Sequence, residues 1–214
     1  MALTLYTNPA SRGRIVRWML EEVGVPYETV VLDYASSMKD APYRAINPMG
    51  KVPAIVHDGH VVTECAAICA YLADAFPEAS LAPALTERAD YYRWMFFAAG
   101  PIEHAVTNKS LGTIPNEQQQ RMAGYGTFDL AMDTLAKAIT INPYFAGDRF
   151  SAADVYAGSQ LIWGLQFGLI SANPLFTAYV ERVTDRPGYK RAAQIDDALI
   201  AAAAAPAAPA AVVG

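Results

Sequence analysis

A small α/β domain followed by an all-α helical bundle is the fold the sequence predicts, and three observations predict it. Over residues 1–77, short β-prone runs alternate with runs of helical periodicity. Residues 77–86, PEASLAPALT, are rich in proline, alanine and small polar residues, the composition of a linker. From 86 to 200 every strong signal is helical.

Each element can be justified in order. LTLY is short, apolar and β-prone, and it stops at Thr7-Asn8-Pro9. Ile15, Met19, Leu20 and Val23 then recur at helical spacing, and Gly24 followed by Pro26 ends that helix. YETVVLD reads as a second strand, and SSMKDAPYRAI as a weak helix or an irregular excursion. VPAIV and HVVT flank Asp58-Gly59, the pair favoured in a type I′ hairpin. Glu64 to Phe76 is helical and is closed by Pro77. This order gives a small mixed sheet with helices on it, a thioredoxin-like arrangement.

Beyond the linker the expected helices span roughly 87–110, 117–140, 151–170, 173–184 and 188–200. Phe150-Ser151-Ala152-Ala153-Asp154-Val155 offers a Ser N-cap, an acidic partner three residues on and a Phe–Val staple. Gly100-Pro101 should kink the first long helix. The tail, 201–214, is low-complexity and is expected to fray or lose order beyond its first turn.

Composition narrows the function. The chain has 214 residues, 53% of them hydrophobic, and a formal net charge of -5, which gives no general reason to expect nucleic-acid or acidic-membrane binding. Cys65 and Cys69 lie four apart in one apparent helix, a poor geometry for a disulfide, which fits a reducing, cytoplasmic setting. No export signal is legible at the N-terminus. The apolar stretch LIWGLQFGLI is about half a membrane span.

Two stretches invite chemistry. In YTNPASRGRIVR a polar loop leads into a helix start, where unpaired N–H groups favour an anion. Arg12, Arg14 and Arg17 crowd that end against the macrodipole, which makes sense if a negative group binds there; the alternative is a Ser11 N-cap beside a solvated basic face. In NPMGKVPAIVHDGHVVTECAAICAYL, Pro53 cannot donate to a sheet ladder. A cis bond at Pro53 would leave Val52 with outward-facing main-chain groups, free to pair with an extended ligand. Thr63-Glu64-Cys65 opens a second anion-receptive helix, with Glu64 able to take an ammonium. His57 and His60 flank the hairpin and read as a solvated turn rather than a metal pair. Trp94, Phe96, Phe97 and Trp163 read as core or interface.

The segment from Asn47 to Leu72 resembles the glutathione-binding segment of the glutathione transferases, whose usual form is Asn-Pro-x-Gly-Lys-Val-Pro, a hairpin and Glu/Gln-Ser. FSAADVYAGS is similar to the family's N-capping box, and LYTNPASRGRIVRWMLEEVGVPYE resembles bacterial members, serine-type or beta-like. The resemblance implies that Val52, beside Pro53, pairs with the cysteinyl part of glutathione and that Lys51 approaches its glycyl carboxylate. It implies that Glu64 holds the γ-glutamyl ammonium and that position 65 receives the γ-glutamyl carboxylate. Here the chain carries Cys65 where the family usually has Ser, a weaker donor. The group that donates to the glutathione sulfur is expected to be Ser11, then Asn8, then Tyr6; His104, with Glu103 after the kink, is a further candidate contact. The resemblance further implies a homodimer that conjugates glutathione, as co-substrate, to a small hydrophobic electrophile. A non-catalytic glutathione-binding protein and a glutathione-dependent peroxidase or reductase are the alternatives. The cysteine-free loop at Ser11 argues against mixed-disulfide chemistry.

Overall fold

The computed structural model describes residues 2–204. The N-terminal part runs β1 (Leu3–Thr7), α1 (Gly13–Val23), β2 (Glu28–Val31), α2 (Ala41–Ile46), β3 (Ala54–His57), β4 (His60–Thr63) and α3 (Cys65–Ala75). The strands form one sheet in the order β2-β1-β3-β4; β1 pairs parallel with β2, and β3 pairs antiparallel with both β1 and β4. Alternation along β1 sends Leu3, Leu5 and Thr7 into the main core with α1 and α3. Its polar-facing partner Tyr6 goes to the opposite face, where Leu32, Met38, Tyr43 and Ala54 make a second small cluster. Asp58 and Gly59 both take positive φ, 46° and 83°, as the I′ turn requires.

The helical part comprises α4 (Ala89–Phe97), α5 (Glu103–Ser110), α6 (Glu117–Met122), α7 (Phe128–Ile141), α8 (Ala152–Gln166), α9 (Pro174–Thr184) and α10 (Pro187–Ala204). The kink expected at Gly100-Pro101 is a π-helical turn over Ala98–Ile102, because Pro101 has no N–H to continue the α-helical ladder. The helix expected over 117–140 is two helices. Asn116 and Gln119 cap α6 reciprocally, Gly126 turns at φ 66°, and Thr127 restarts the chain by accepting from the Leu130 N–H. The helix expected to reach 170 stops at Gln166. Gly168 adopts φ 68°, and Ile170 folds back over Gly164, where a Cβ would lie 2.3 Å from Ile170 Cδ1. Of the tail expected to fray beyond its first turn, residues 201–204 continue α10, and 205–214 lie outside the described residues.

Helix α8 is the buried centre of this part. At its start Asp154 accepts from the N–H and Oγ of Ser151 (3.0 and 3.1 Å), the N–H of Phe145 (2.9 Å) and the hydroxyl of Tyr179 (2.8 Å). Phe150 and Val155 are buried in the same core. Helix α10 lies antiparallel along α1. Asp196 pairs with Arg17 at 2.7 Å, Asp197 with Arg14 at 2.8 Å, Arg191 with Glu21 at 3.1 Å and Arg186 with Glu22 at 2.7 Å. Among the described residues no helix is long and apolar enough to cross a membrane.

Candidate functional site

Three backbone segments meet where β1 ends beside the start of β3: the loop from β1 to α1, the turn before β3, and the first turn of α3. The turn before β3 is knitted by buried Asn47, whose side chain accepts from the Met49 N–H and donates to the Lys51 carbonyl at 2.7 Å. Tyr43 donates to the same carbonyl at 2.6 Å. Gly50 is required there, because it turns at φ 56° and a Cβ would stand 2.9 Å from the Met38 carbonyl oxygen. The turn delivers the chain into a cis Val52–Pro53 bond. Pro53 is buried, Val52 is half-buried, and among the described residues the Val52 N–H and C=O have no hydrogen-bond partner. Lys51 is exposed beside them.

The loop after β1 is equally well fixed. Asn8 donates from Nδ2 to the Leu32 carbonyl at 2.8 Å and accepts from the Ala10 N–H at 2.9 Å. Ser11 Oγ donates to the Asn8 carbonyl at 2.6 Å and accepts from the Gly13 N–H at 2.9 Å, which starts α1. Ser11 and Asn8 are half-buried and lie together, whereas Tyr6 lies across the sheet, packed 5.6 Å from the Tyr43 ring.

At the start of α3, Glu64 is exposed and adopts φ 67°, ψ 120°, an uncommon conformation for a residue with a side chain. Cys65 is buried, and its Sγ donates to the Arg12 carbonyl at 3.7 Å, so the first turns of α1 and α3 touch. Burial pushes the Cys65 thiol up to about 12, with the Glu103 charge adding to the rise and Arg12 opposing it. Cys69 is buried deeper, and its thiol is raised well above the ordinary value by desolvation. Both thiols are free.

The three arginines find their negative partners within the chain. Arg12 reaches Glu103 at 2.7 Å, Arg14 reaches Asp197, and Arg17 reaches Asp196. Arg17 is fully buried and so belongs to no solvated basic face; Tyr27 and Thr29 accept from its Nη1. Sequence reasoning missed Glu103 as the residue that faces the site. His104 is exposed with no partner among the described residues, whereas Glu103 also accepts from Tyr156 (3.1 Å) and Gln160 (3.0 Å) of α8. The signal was an acid directly after the Pro101 kink. The hairpin histidines also separate: His60 is exposed, and His57 packs on Phe76 and hydrogen-bonds Tyr71 at 2.9 Å. His57 is therefore a packing residue, not part of a solvated turn. Among the described residues no cluster of metal-ligating side chains occurs. Trp94 is core and Phe97 packs on it, Trp163 is half-buried, and Phe96 is exposed.

A family model described as "Glutathione S-transferase, N-terminal domain" matches residues 11–75, the span holding all three backbone segments except the start of the loop. Glutathione S-transferase 3 of Schizosaccharomyces pombe is 29% identical over 90% of this chain and 87% of its own length. The structure of a glutathione transferase from Methylococcus capsulatus superposes with TM-score 0.76 at 28% identity, over 92% of this chain and all of that one. Residues 11–75 thus match the N-terminal domain of the glutathione S-transferases, and the chain along nearly its whole length is similar to members of that superfamily. A sphingomonad glutathione S-transferase solved in complex with glutathione has the same two-part transferase fold, with TM-score 0.74 and 27% identity over 91% of this chain and 98% of that one. The superfamily's thioredoxin-like sheet and helical bundle are thus the architecture described above.

Proposed function

We propose that the chain binds glutathione across the ends of β1, β3 and α3 and transfers its thiolate to a small hydrophobic electrophile. The observation that carries this reading is the open main chain of Val52, set beside two helix N-termini that touch through Cys65 and Arg12. Val52 would form a two-way, strand-like pairing with the cysteinyl residue. Lys51 would meet the glycyl carboxylate, Glu64 the γ-glutamyl ammonium, and the N–H of Cys65 the γ-glutamyl carboxylate. That pose points the sulfur at the Ser11 loop. A free thiol has a pKa of about 8.5 and reacts as the thiolate, so a hydroxyl donor and the positive end of α1 would favour the reactive form. Ser11 is the first choice for that donor and Asn8 the second. Tyr6, across the sheet, is the third.

Calorimetric titration with glutathione, paired with conjugation of a generic aryl halide, tests this directly. Binding together with turnover is the expected result. Binding without turnover would replace it with the second reading, a non-catalytic glutathione-binding protein. One feature favours that second reading: the Ser11 proton is already donated to the Asn8 carbonyl, so the hydroxyl must rotate before it can serve a thiolate. A homodimer belongs to the same proposal. Tyr92 and Phe96, 42% and 68% exposed, stand one turn apart on α4 and offer an apolar face to a second copy. Sedimentation equilibrium giving a monomer at micromolar concentration would remove that part. The two free thiols fit a reducing, cytoplasmic setting.

A further inference from the structure

Position 65 is where the glutathione-binding segment departs from its usual residue, and a cation stands beside it. A serine hydroxyl there would donate to the γ-glutamyl carboxylate. The Cys65 thiol is a weaker donor and is already directed at the Arg12 carbonyl. The Arg12 guanidinium is half-exposed, and Nη2 is 2.7 Å from Glu103 Oε1. Its other N–H groups have no partner among the described residues. Glu103 is in turn immobilised, because its Oε2 accepts from the hydroxyl of Tyr156 and the amide of Gln160, both on the buried helix α8. A rigid chain of contacts therefore runs from α8 through Glu103 to a guanidinium at the junction of α1 and α3.

We propose that Arg12 receives the α-carboxylate of the γ-glutamyl residue, with Glu103 as the positioning residue that aims it. The proposal rests on the glutathione reading above and names the group that takes over from the missing serine hydroxyl. A guanidinium suits this task, since its charge-assisted, forked donors bind a carboxylate more strongly than a neutral hydroxyl does. Glu103 does not cancel it: two neutral donors share the Glu103 charge, and Arg12 keeps donors to spare.

The test compares two ligands on the full chain by calorimetry. One is glutathione; the other is 4-aminobutyryl-cysteinyl-glycine, which keeps the ammonium and thiol and lacks only the α-carboxylate. Arg12→Gln should weaken glutathione roughly 10- to 100-fold and leave the analogue within about twofold of the parent. Glu103→Gln should weaken glutathione by a smaller factor and likewise spare the analogue. Equal losses for both ligands, or no loss for either, would overturn the assignment of Arg12. An unchanged glutathione affinity in Glu103→Gln would overturn the positioning role. If the parent chain binds neither ligand, the glutathione reading itself fails, an outcome distinct from the others. Should Arg12→Gln not fold, Arg12→Lys makes the same comparison, with a loss confined to glutathione expected because the fork is gone while the charge remains.

Discussion

The hydroxyl of Ser11 has two duties, accepting from the first N–H of α1 and donating to the carbonyl of Asn8. Replacing it by alanine should lower conjugation by roughly 10- to 100-fold and raise the pKa of the bound thiol, measured from its thiolate absorbance. An unchanged bound-thiol pKa would hand the donor role to Asn8. The neighbouring Gly13 is more tightly constrained. A Cβ there would fall 1.9 Å from Thr7 Oγ1 and 3.0 Å from Ser11 Oγ. Gly13→Ala should therefore cost about 2 kcal/mol in urea unfolding and shift the first turn of α1; a variant as stable as the parent would contradict the packing described. Residues whose partners are near in sequence were legible: Asn47, Gly50 and Pro53 shape one turn, and their types announce it. Glu103 was not, because its partners Arg12, Tyr156 and Gln160 lie 53 or more positions away and converge only in the fold.

At the scale of the element, helix α8 depends on the carboxylate at its start. Burial raises the Asp154 pKa from 3.8 to about 6, against hydrogen bonds from Phe145, Tyr179 and Ser151 that act to lower it. The folded state thus holds this proton more tightly than the unfolded chain does. The resulting contribution to stability is fully present below pH 3.8 and is lost as pH rises through about 6. Over that window it amounts to about 3 kcal/mol. Urea unfolding of the parent and of Asp154→Asn between pH 4 and 7 isolates it, since the other carboxylates are common to both. The parent's advantage should shrink as pH rises, and a difference that stays constant would refute the shift. The cap was readable because it is local, Ser151 and Asp154 at the right spacing. The early end of α8 was not, since it depends on Ile170 closing over Gly164.

In the whole molecule, α10 ties the helical bundle back onto α1, and the tie is centred on the buried pair Arg17–Asp196. Among the described residues Arg17 Nη2 and Asp196 Oδ2 have no hydrogen-bond partner, so the pair is incompletely satisfied there. Asp196→Ala should cost roughly 3–5 kcal/mol in chemical denaturation by leaving a buried guanidinium unpaired, while Arg17→Met with Asp196→Leu should recover most of that loss. A double variant as unstable as the single one would mean that the pair itself contributes net stability. The two-part architecture was legible from the switch in periodicity at the linker, and the bundle's helices largely so. The docking of α10 was hidden in Asp196-Asp197, two acids in an otherwise alanine-rich helix that match the two arginines of α1 only in three dimensions. The buried thiols have a practical corollary. Cys65 and Cys69 are buried and their thiols are raised by that burial, so both should react slowly with maleimide near neutral pH. One cysteine introduced at exposed Ala204 should then take a fluorophore as a single mass addition, with both native thiols left in place. Because α10 runs antiparallel to α1, past Arg14, that dye would stand near the Ser11 end of α1 and could report ligand arrival without any chromogenic substrate.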